Sequence, residues 1–308
     1  MKAFLKKILP RPIRAGLRFL QRKLLESRDY LAFVFCRLGK VLERQWQTII
    51  IFITDHTDVW FGKRDPLVPP QRLSHFIGDG DFREVGEIYF RLLLTLGGVQ
   101  PADRILDVGC GIGRTAVPLT KYLTTGCYHG FDIVPIGIKW CRRTITPRYR
   151  NFRFHLADLH NPYYNPKGRN AAEEYRFPFT NNSFDFVFLI SVFTHLQTPA
   201  IANYLREISR VLSPGGRCLI TYFLLNEESI SLIQEGKSSL PFIPGEGGTM
   251  ITNPTIPEAV IAHPETTIRA LYEECGLLFQ EPIHYGSWCF RGYGLDLQDV
   301  IIATKPYR

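Results

Sequence analysis

The stretch from Arg104 to Thr120, RILDVGCGIGRTAVPLT, constrains this chain more than any other. Its apolar run, Ile105, Leu106 and Val108, has the composition of a buried strand. Three glycines at alternate positions follow, Gly109, Gly111 and Gly113, and then a helix-compatible segment, Arg114 to Leu123. Strand, glycine turn and helix together make the setting of a nucleotide-binding loop. Glycine is needed where the backbone takes a positive φ or must approach a ligand to contact distance. Asp107 stands two residues before the first glycine, giving D-x-G-x-G-x-G. That spacing differs from the dinucleotide pattern G-x-G-x-x-G, whose helix N-terminus meets a pyrophosphate. A phosphate-binding P-loop is excluded because no Lys-Ser/Thr pair follows. An acid at the strand end suits a cationic ligand instead, such as the ammonium group of an amino acid.

Acids recur at the next two strand ends. Tyr128 to Ile133 (YHGFDI) reads as a second strand closing on Asp132, 25 residues beyond Asp107. A carboxylate in that place can accept both hydroxyls of a ribose. Phe152 to Asp158 (FRFHLAD) is a third strand, and Phe184 to Ser191 (FDFVFLIS) a fourth. The end of the fourth runs into Ser191-Val-Phe-Thr-His195, the place where open α/β sheets put ligands and chemistry. Pro199 to Leu212 reads as an amphipathic helix, Ser213 to Gly216 as a turn, and Arg217 to Phe223 as a fifth strand. A helix at Glu265–Cys275 and strands at Leu277–His284 and Asp299–Thr304 complete a set of seven. Each acid taken alone also reads as a cap for the helix that follows it.

With D-x-G-x-G-x-G, acids at three strand ends in order, and RVLSPGG before the fifth strand, the chain resembles the class I S-adenosylmethionine-dependent methyltransferases. The resemblance covers roughly Phe76 to Lys305 and is greatest to bacterial small-molecule and glycan-modifying enzymes. It implies a Rossmann-like α/β fold: a seven-stranded, mostly parallel sheet with only the last strand antiparallel and helices on both faces. It implies S-adenosylmethionine as cofactor, bound by Asp107, Gly109, Cys110, Gly111, Gly113, Asp132, Ile133, Asp158, Leu159 and Ser191. In that scheme Asp132 takes the ribose and Ile133 walls the adenine. Asp158 accepts from the adenine amino group, and the Leu159 N–H faces the ring.

Methyl transfer to a hydroxyl needs alignment and removal of a proton. His195, just past the fourth strand, is the candidate base; the other reading is a histidine satisfied by a backbone carbonyl. Phe82, Phe193, Tyr222 and Trp288 are candidates for the acceptor pocket, with Arg291 beside the last. Asp81 and Phe82 read equally as a helix cap and a core aromatic before a helix at Arg83–Leu96. Its apolar side is expected to carry Val85, Ile88, Leu92 and Leu96. His129 and His155, inside strands, read as structural. Asn161-Pro-Tyr-Tyr is read as loop, and no metal-ligand cluster is visible.

Charge divides the chain. Residues 1–64 hold fourteen basic and five acidic residues, a net of +9, whereas the remaining 244 carry −1. Leu5, Leu9, Ile13, Leu17, Leu20 and Leu24 share one helical face, with arginines and lysines mostly elsewhere around it. Residues 1–45 are therefore expected to be a basic amphipathic helical segment, either lying on an anionic membrane surface or packed on the domain. No run approaches a bilayer-spanning length, and no nucleic-acid-binding module is apparent. Seven cysteines without a C-x-x-C pair point to a reducing, cytoplasmic setting.

The expected organisation is a basic helical extension over 1–65 and a methyltransferase domain over 66–308. Residues 225–264, rich in glycine and proline, are expected to form a lid or acceptor-binding insertion, because so long a connection is unusual in a compact domain. The expected acceptor is a hydroxyl on a sugar, glycolipid or other small molecule. The alternatives are carbon or nitrogen methylation of a metabolite, membrane lipid or quinone, and a cofactor-binding, membrane-recruited partner with little catalysis. A nicotinamide dehydrogenase is disfavoured by the glycine spacing and by Asp107.

Overall fold

The computed structural model describes residues 65–74, 80–292 and 294–307. The sequence expectations for residues 1–45 lie outside the described residues.

Seven strands form the main sheet: β1 (Arg104–Val108), β2 (Cys127–Asp132), β3 (Phe152–Leu156), β4 (Phe184–Leu189), β5 (Leu212–Tyr222), β10 (Leu278–His284) and β11 (Asp299–Thr304). Their spatial order is β10-β11-β5-β4-β1-β2-β3. β1 pairs in parallel with β2 and β4, and only β11 runs antiparallel to its neighbours. The chain reverses its direction of build-up between β1 and β4, so the crevice at a topological switch point opens at the C-terminal ends of those two strands.

The strands are apolar on both faces, as a parallel sheet covered by helices requires. Leu106, Val108, Val187, Leu189 and Ile220 face one core with Tyr204, Leu205, Ile208 and Tyr272. Ile105, Phe186, Phe188 and Leu219 face the other with Leu93, Leu119, Ile138 and Cys141. The helices behind these contacts are α1 (Phe82–Thr95), α2 (Ala116–Tyr122) and α3 (Pro135–Thr144) on one side. α4 (Thr198–Val211) and α6 (Glu265–Glu274) cover the other. Each fully buried Leu, Ile or Phe contributes about 1.5–3 kcal/mol of burial free energy.

Two local expectations are corrected. α1 buries Phe82, Gly86, Leu92 and Leu93, while Ile88 is 49% exposed. The helix is turned by the contact at Gly86, where a Cβ would lie 2.7 Å from the Arg114 carbonyl oxygen. Asp81 caps α1, accepting from the Arg83 and Glu84 N–H groups. The second correction concerns Ser213–Gly216, which does not separate helix from strand. α4 runs directly into β5, and the pairing on β4 jumps from Phe184↔Leu212 to Phe186↔Arg217. The four residues are a bulge, with Gly215 at φ +76 beneath the Tyr307 ring.

The long connection after β5 is folded. β6 (Leu224–Leu225), β7 (Ile243–Pro244), β8 (Met250–Ile251) and β9 (Ile261–Pro264) make a second sheet in the order β6-β9-β8-β7. α5 (Glu227–Gln234) starts with a capping box between Asn226 and Ser229. Phe223, Leu225, Phe242, Ala262, Trp288 and Cys289 form its own apolar cluster. The fully buried Asp299 ties this unit to β11. One carboxylate oxygen accepts from Leu224 N–H and Trp288 Nε1, the other from Gly286 N–H and Arg291.

Candidate active site

The glycine turn after β1 takes positive φ at Gly109, Gly111 and Gly113, at 84°, 54° and 77°. A Cβ on Gly109 would lie 2.3 Å from Val192 Cγ2, so the turn and the segment after β4 meet at a distance only glycine allows. Gly113 packs against Ile145 and Cys141 and serves the α2–α3 side of the turn.

Two buried carboxylates stand beside the turn. Asp132 accepts from Gly111 N–H and from Val134 N–H, each at 2.8 Å and each on a different oxygen. Burial raises its pKa against these two hydrogen bonds. Asp107 is 4% exposed and accepts a 2.5 Å hydrogen bond from the Tyr128 hydroxyl. Burial pushes it up to about 8, with the Tyr128 hydrogen bond opposing and the charge of Asp132 adding.

A cavity of about 390 Å³ joins this end of the sheet to the segment after β4. That size is within the range of small-molecule sites, ~300–1,000 Å³. Asp107, Gly109, Cys110, Gly111, Asp132, Ile133, Leu159, Ser191 and His195 all line it. Ser191 holds φ +57, a conformation rare outside glycine and costly by about 1–3 kcal/mol. Its N–H donates to Thr221 Oγ1 and its hydroxyl to Gln298 Oε1, and these two bonds fix the turn.

His195 closes a short 3-10 turn, Phe193–His195, beside the cavity. Its Nδ1 is 2.9 Å from the Glu258 carbonyl and its Nε2 3.3 Å from the Tyr164 hydroxyl. Tyr163 stacks parallel to the imidazole and Tyr164 meets it edge-on. Burial lowers the His195 pKa, opposed by hydrogen bonds to the Glu258 and Ala259 backbone. The ring is thus held neutral, which a proton acceptor requires.

Other residues singled out in the sequence lie elsewhere. Asp158 lies two residues past the end of β3 and pairs with Arg169 at 2.5 Å, and Arg169 lowers its pKa. It is not on the cavity wall. Phe193 packs on Tyr204 and Tyr222, and the Tyr222 hydroxyl meets that of Tyr272 inside the core. Phe82 lies against Trp140, and Trp288 is fully buried with its indole N–H on Asp299. None of these four aromatics lines the cavity; each satisfies an apolar or hydrogen-bonding need of the core. Arg291 is taken up by Asp299 and Glu228.

The walls that sequence reading missed include Tyr89, Asn161, Tyr164, Phe223, Leu240, Val260 and Gln298. Burial and the charge of Asp296 push the Tyr89 hydroxyl up to about 12. Asn161 accepts from the N–H groups of Tyr163 and Tyr164, and donates to the His195 carbonyl. The Asn161-Pro-Tyr-Tyr loop was therefore visible in the sequence, but its contact with His195 was not.

Residues 105–216 match a family described as a methyltransferase domain. That match supports a class I S-adenosylmethionine-dependent methyltransferase domain over those residues. Among curated proteins, the phthiotriol/phenolphthiotriol dimycocerosates methyltransferase of Mycobacterium leprae is 35% identical over 148 residues, 48% of this chain and 47% of that protein. The 27-O-demethylrifamycin SV methyltransferase of Amycolatopsis mediterranei is 28% identical over 50% of this chain and 52% of its own length. The chain thus spans about half the length of these relatives. A crystal structure of a protein from Pyrococcus horikoshii superposes with a TM-score of 0.52 at 18% identity, over 74% of this chain and 93% of that one. That likeness is one of fold.

S-adenosylmethionine is the cofactor of this family, and the residues present fit it. Its ammonium and sulfonium are cationic, and Asp107 is a buried carboxylate with capacity beyond its Tyr128 bond. Its ribose hydroxyls are donors, and Asp132 retains lone pairs beyond its two backbone bonds. Among the described residues, no helix is long and apolar enough to cross a membrane.

Proposed function

We propose that this methyltransferase transfers the methyl group of S-adenosylmethionine to a hydroxyl on a largely apolar small molecule or lipid-linked acceptor. The observation that carries the reading is the cavity that Asp107, Asp132 and His195 line together. Asp107 would hold the cationic amino-acid end, Asp132 the ribose, and Ile133 with Leu159 the adenine. The bound cofactor supplies an already activated methyl group. The chain's own task is to place the acceptor oxygen, exclude water and take up a proton, of which positioning is worth on the order of 7–11 kcal/mol.

Tyr89, Phe223, Leu240 and Val260 also line the cavity, which favours an apolar acceptor body. Leu240 and Val260 come from the folded segment after β5, so residues 225–264 would shape acceptor choice. The relatives support the same direction, since one is named for a dimycocerosate and another for an oxygen position on a rifamycin. A sugar-bearing acceptor remains the expected variant of this reading. The basic residues 1–64 would add attraction to an anionic membrane surface where a lipid acceptor resides.

The test is transfer from methyl-labelled S-adenosylmethionine into fractionated cell extracts. Label entering an organic-soluble product, stable to mild alkali as a methyl ether is, supports the reading. Label confined to alkali-labile, amine or protein fractions contradicts it. Deleting residues 1–45 should abolish binding to anionic liposomes and leave cofactor affinity unchanged.

A further inference from the structure

Both nitrogens of His195 are already engaged. A carbonyl can only accept, so the 2.9 Å contact to Glu258 assigns the ring proton to Nδ1. Nε2 is then the basic nitrogen, and the group facing it is the Tyr164 hydroxyl at 3.3 Å. An acceptor hydroxyl reaches Nε2 directly only by displacing Tyr164.

Tyr164 is not placed to leave easily. The Asn161 side chain receives the Tyr163 and Tyr164 N–H groups at 3.0 and 2.8 Å. The same side chain, 6% exposed, donates to the His195 carbonyl at 3.3 Å. One asparagine therefore ties the tyrosine loop to the histidine turn. Asn165 adds a second tie, donating from Nδ2 to the Leu159 carbonyl at 2.8 Å. Tyr164 lines the cavity together with His195.

We propose that Tyr164 is the catalytic residue that touches the acceptor hydroxyl, and that His195 acts behind it as the proton sink. The proposal rests on the hydroxyl-acceptor reading above. As the acceptor oxygen bonds to the methyl carbon, the carbon–sulfur bond breaks and its electron pair stays on sulfur as a thioether. The acceptor's proton passes to the Tyr164 oxygen while the Tyr164 proton passes to His195 Nε2. The positive charge lost from sulfur appears on the imidazolium, which releases its proton to solvent after the product leaves. Tyr164 is an ordinary phenol before and after the step. Burial raises its pKa, so it stays protonated and able to donate to Nε2. The charged groups around the pair are Asp132, which acts on Tyr164, and the Glu258 carboxylate, which is engaged by Gln197 at 3.2 Å.

The experiment compares the full-length protein with Y164F, H195A and the double variant. Cofactor affinity is measured by calorimetry, and label transfer by using an organic-solvent cell extract as the acceptor source. Histidine ¹⁵N resonances are read on the same samples. A relay predicts that Y164F keeps cofactor affinity and loses about 10²-fold in transfer rate. H195A should lose a similar factor, and the double variant no more than the worse single one. Nε2 of His195 should carry the ¹⁵N shift of an unprotonated, hydrogen-bonded nitrogen in the parent and move toward the free value in Y164F. Transfer by Y164F at the parent rate, with H195A inactive, overturns the relay and makes His195 the direct base. Should the parent label no extract, the hydroxyl-acceptor reading fails separately. The parent's ¹⁵N shift then decides: a free Nε2 refutes the pairing, a hydrogen-bonded one upholds it.

Discussion

The Tyr128 hydroxyl and the Asp107 carboxylate face each other at 2.5 Å beneath the glycine turn, the one on β2 and the other on β1. The pair sits where the cofactor's cationic end is proposed to bind, and burial holds Asp107 up to about 8. At neutral pH the carboxyl is largely protonated, yet a cation needs its charged form. Cofactor affinity should therefore tighten as pH rises toward about 8. Asp107→Asn should flatten this dependence and weaken binding by about 10–100-fold, the worth of a charged hydrogen bond. Calorimetric titrations from pH 6 to pH 9, taken as about three steps of one pH unit, would check both.

The same carboxyl has the opposite effect on the cofactor-free fold. Its folded pKa is raised from 3.8 to about 8, so the folded state binds more protons between those values. Its contribution to stability is fully present below the lower value and is lost as pH rises through the upper one. Denaturant melts of Asp107→Asn should lack this loss as pH rises from about 4 to about 8.

His129 works in the other direction. It lies 3.2 Å from His155 across β2 and β3, and burial with the neighbouring His155 lowers it from 6.5 to about 4. The unfolded chain binds the proton first, so stability falls as pH drops through that window. His129→Phe should flatten the acid limb of a plot of melting temperature against pH.

Gly109 and Gly98 separate backbone strain from collision. Both have positive φ, but only Gly109 has a neighbour, Val192, in the way of a Cβ; Gly98 has nothing within 4 Å. Gly98→Ala should cost about 1 kcal/mol and Gly109→Ala at least 1–3 kcal/mol more, roughly the added overpacking. Paired chemical melts would give the difference.

Arg291 and Asp299 are fully buried partners at 3.0 Å. Arg291→Met strands a buried carboxylate and should destabilise the protein by about 3–5 kcal/mol at pH 8. The cost should shrink at lower pH, because Asp299, already raised to about 6 by burial, then takes a proton. Equal losses at both ends of the pH range would contradict this.

The sheet was legible because its strands are short apolar runs and its central glycines mark a backbone requirement. Asp107 and Asp132 were legible for a similar reason: each ends a strand whose direction and neighbours follow from topology. The rest of the cavity wall was not. Tyr89, Tyr164, Phe223, Leu240, Val260 and Gln298 come from six separate segments, and nothing local distinguishes them from other aromatic or aliphatic residues. Trp288 and Tyr222 show the converse. An aromatic near a strand end suits a pocket or a core equally well, and only Asp299 and Tyr272, distant in sequence, place these two in the core. Ile88 fell on the expected apolar stripe of α1, but the close contact at Gly86 turned the helix.

The most direct measurement of the central claim is calorimetric titration of the parent and Asp132→Ala proteins with S-adenosylmethionine and, separately, with NAD. The account predicts saturable binding of S-adenosylmethionine to the parent, much weaker binding to Asp132→Ala, and none of NAD to either. Binding of NAD to the parent without binding of S-adenosylmethionine, or an Asp132→Ala protein that binds S-adenosylmethionine as the parent does, would contradict it.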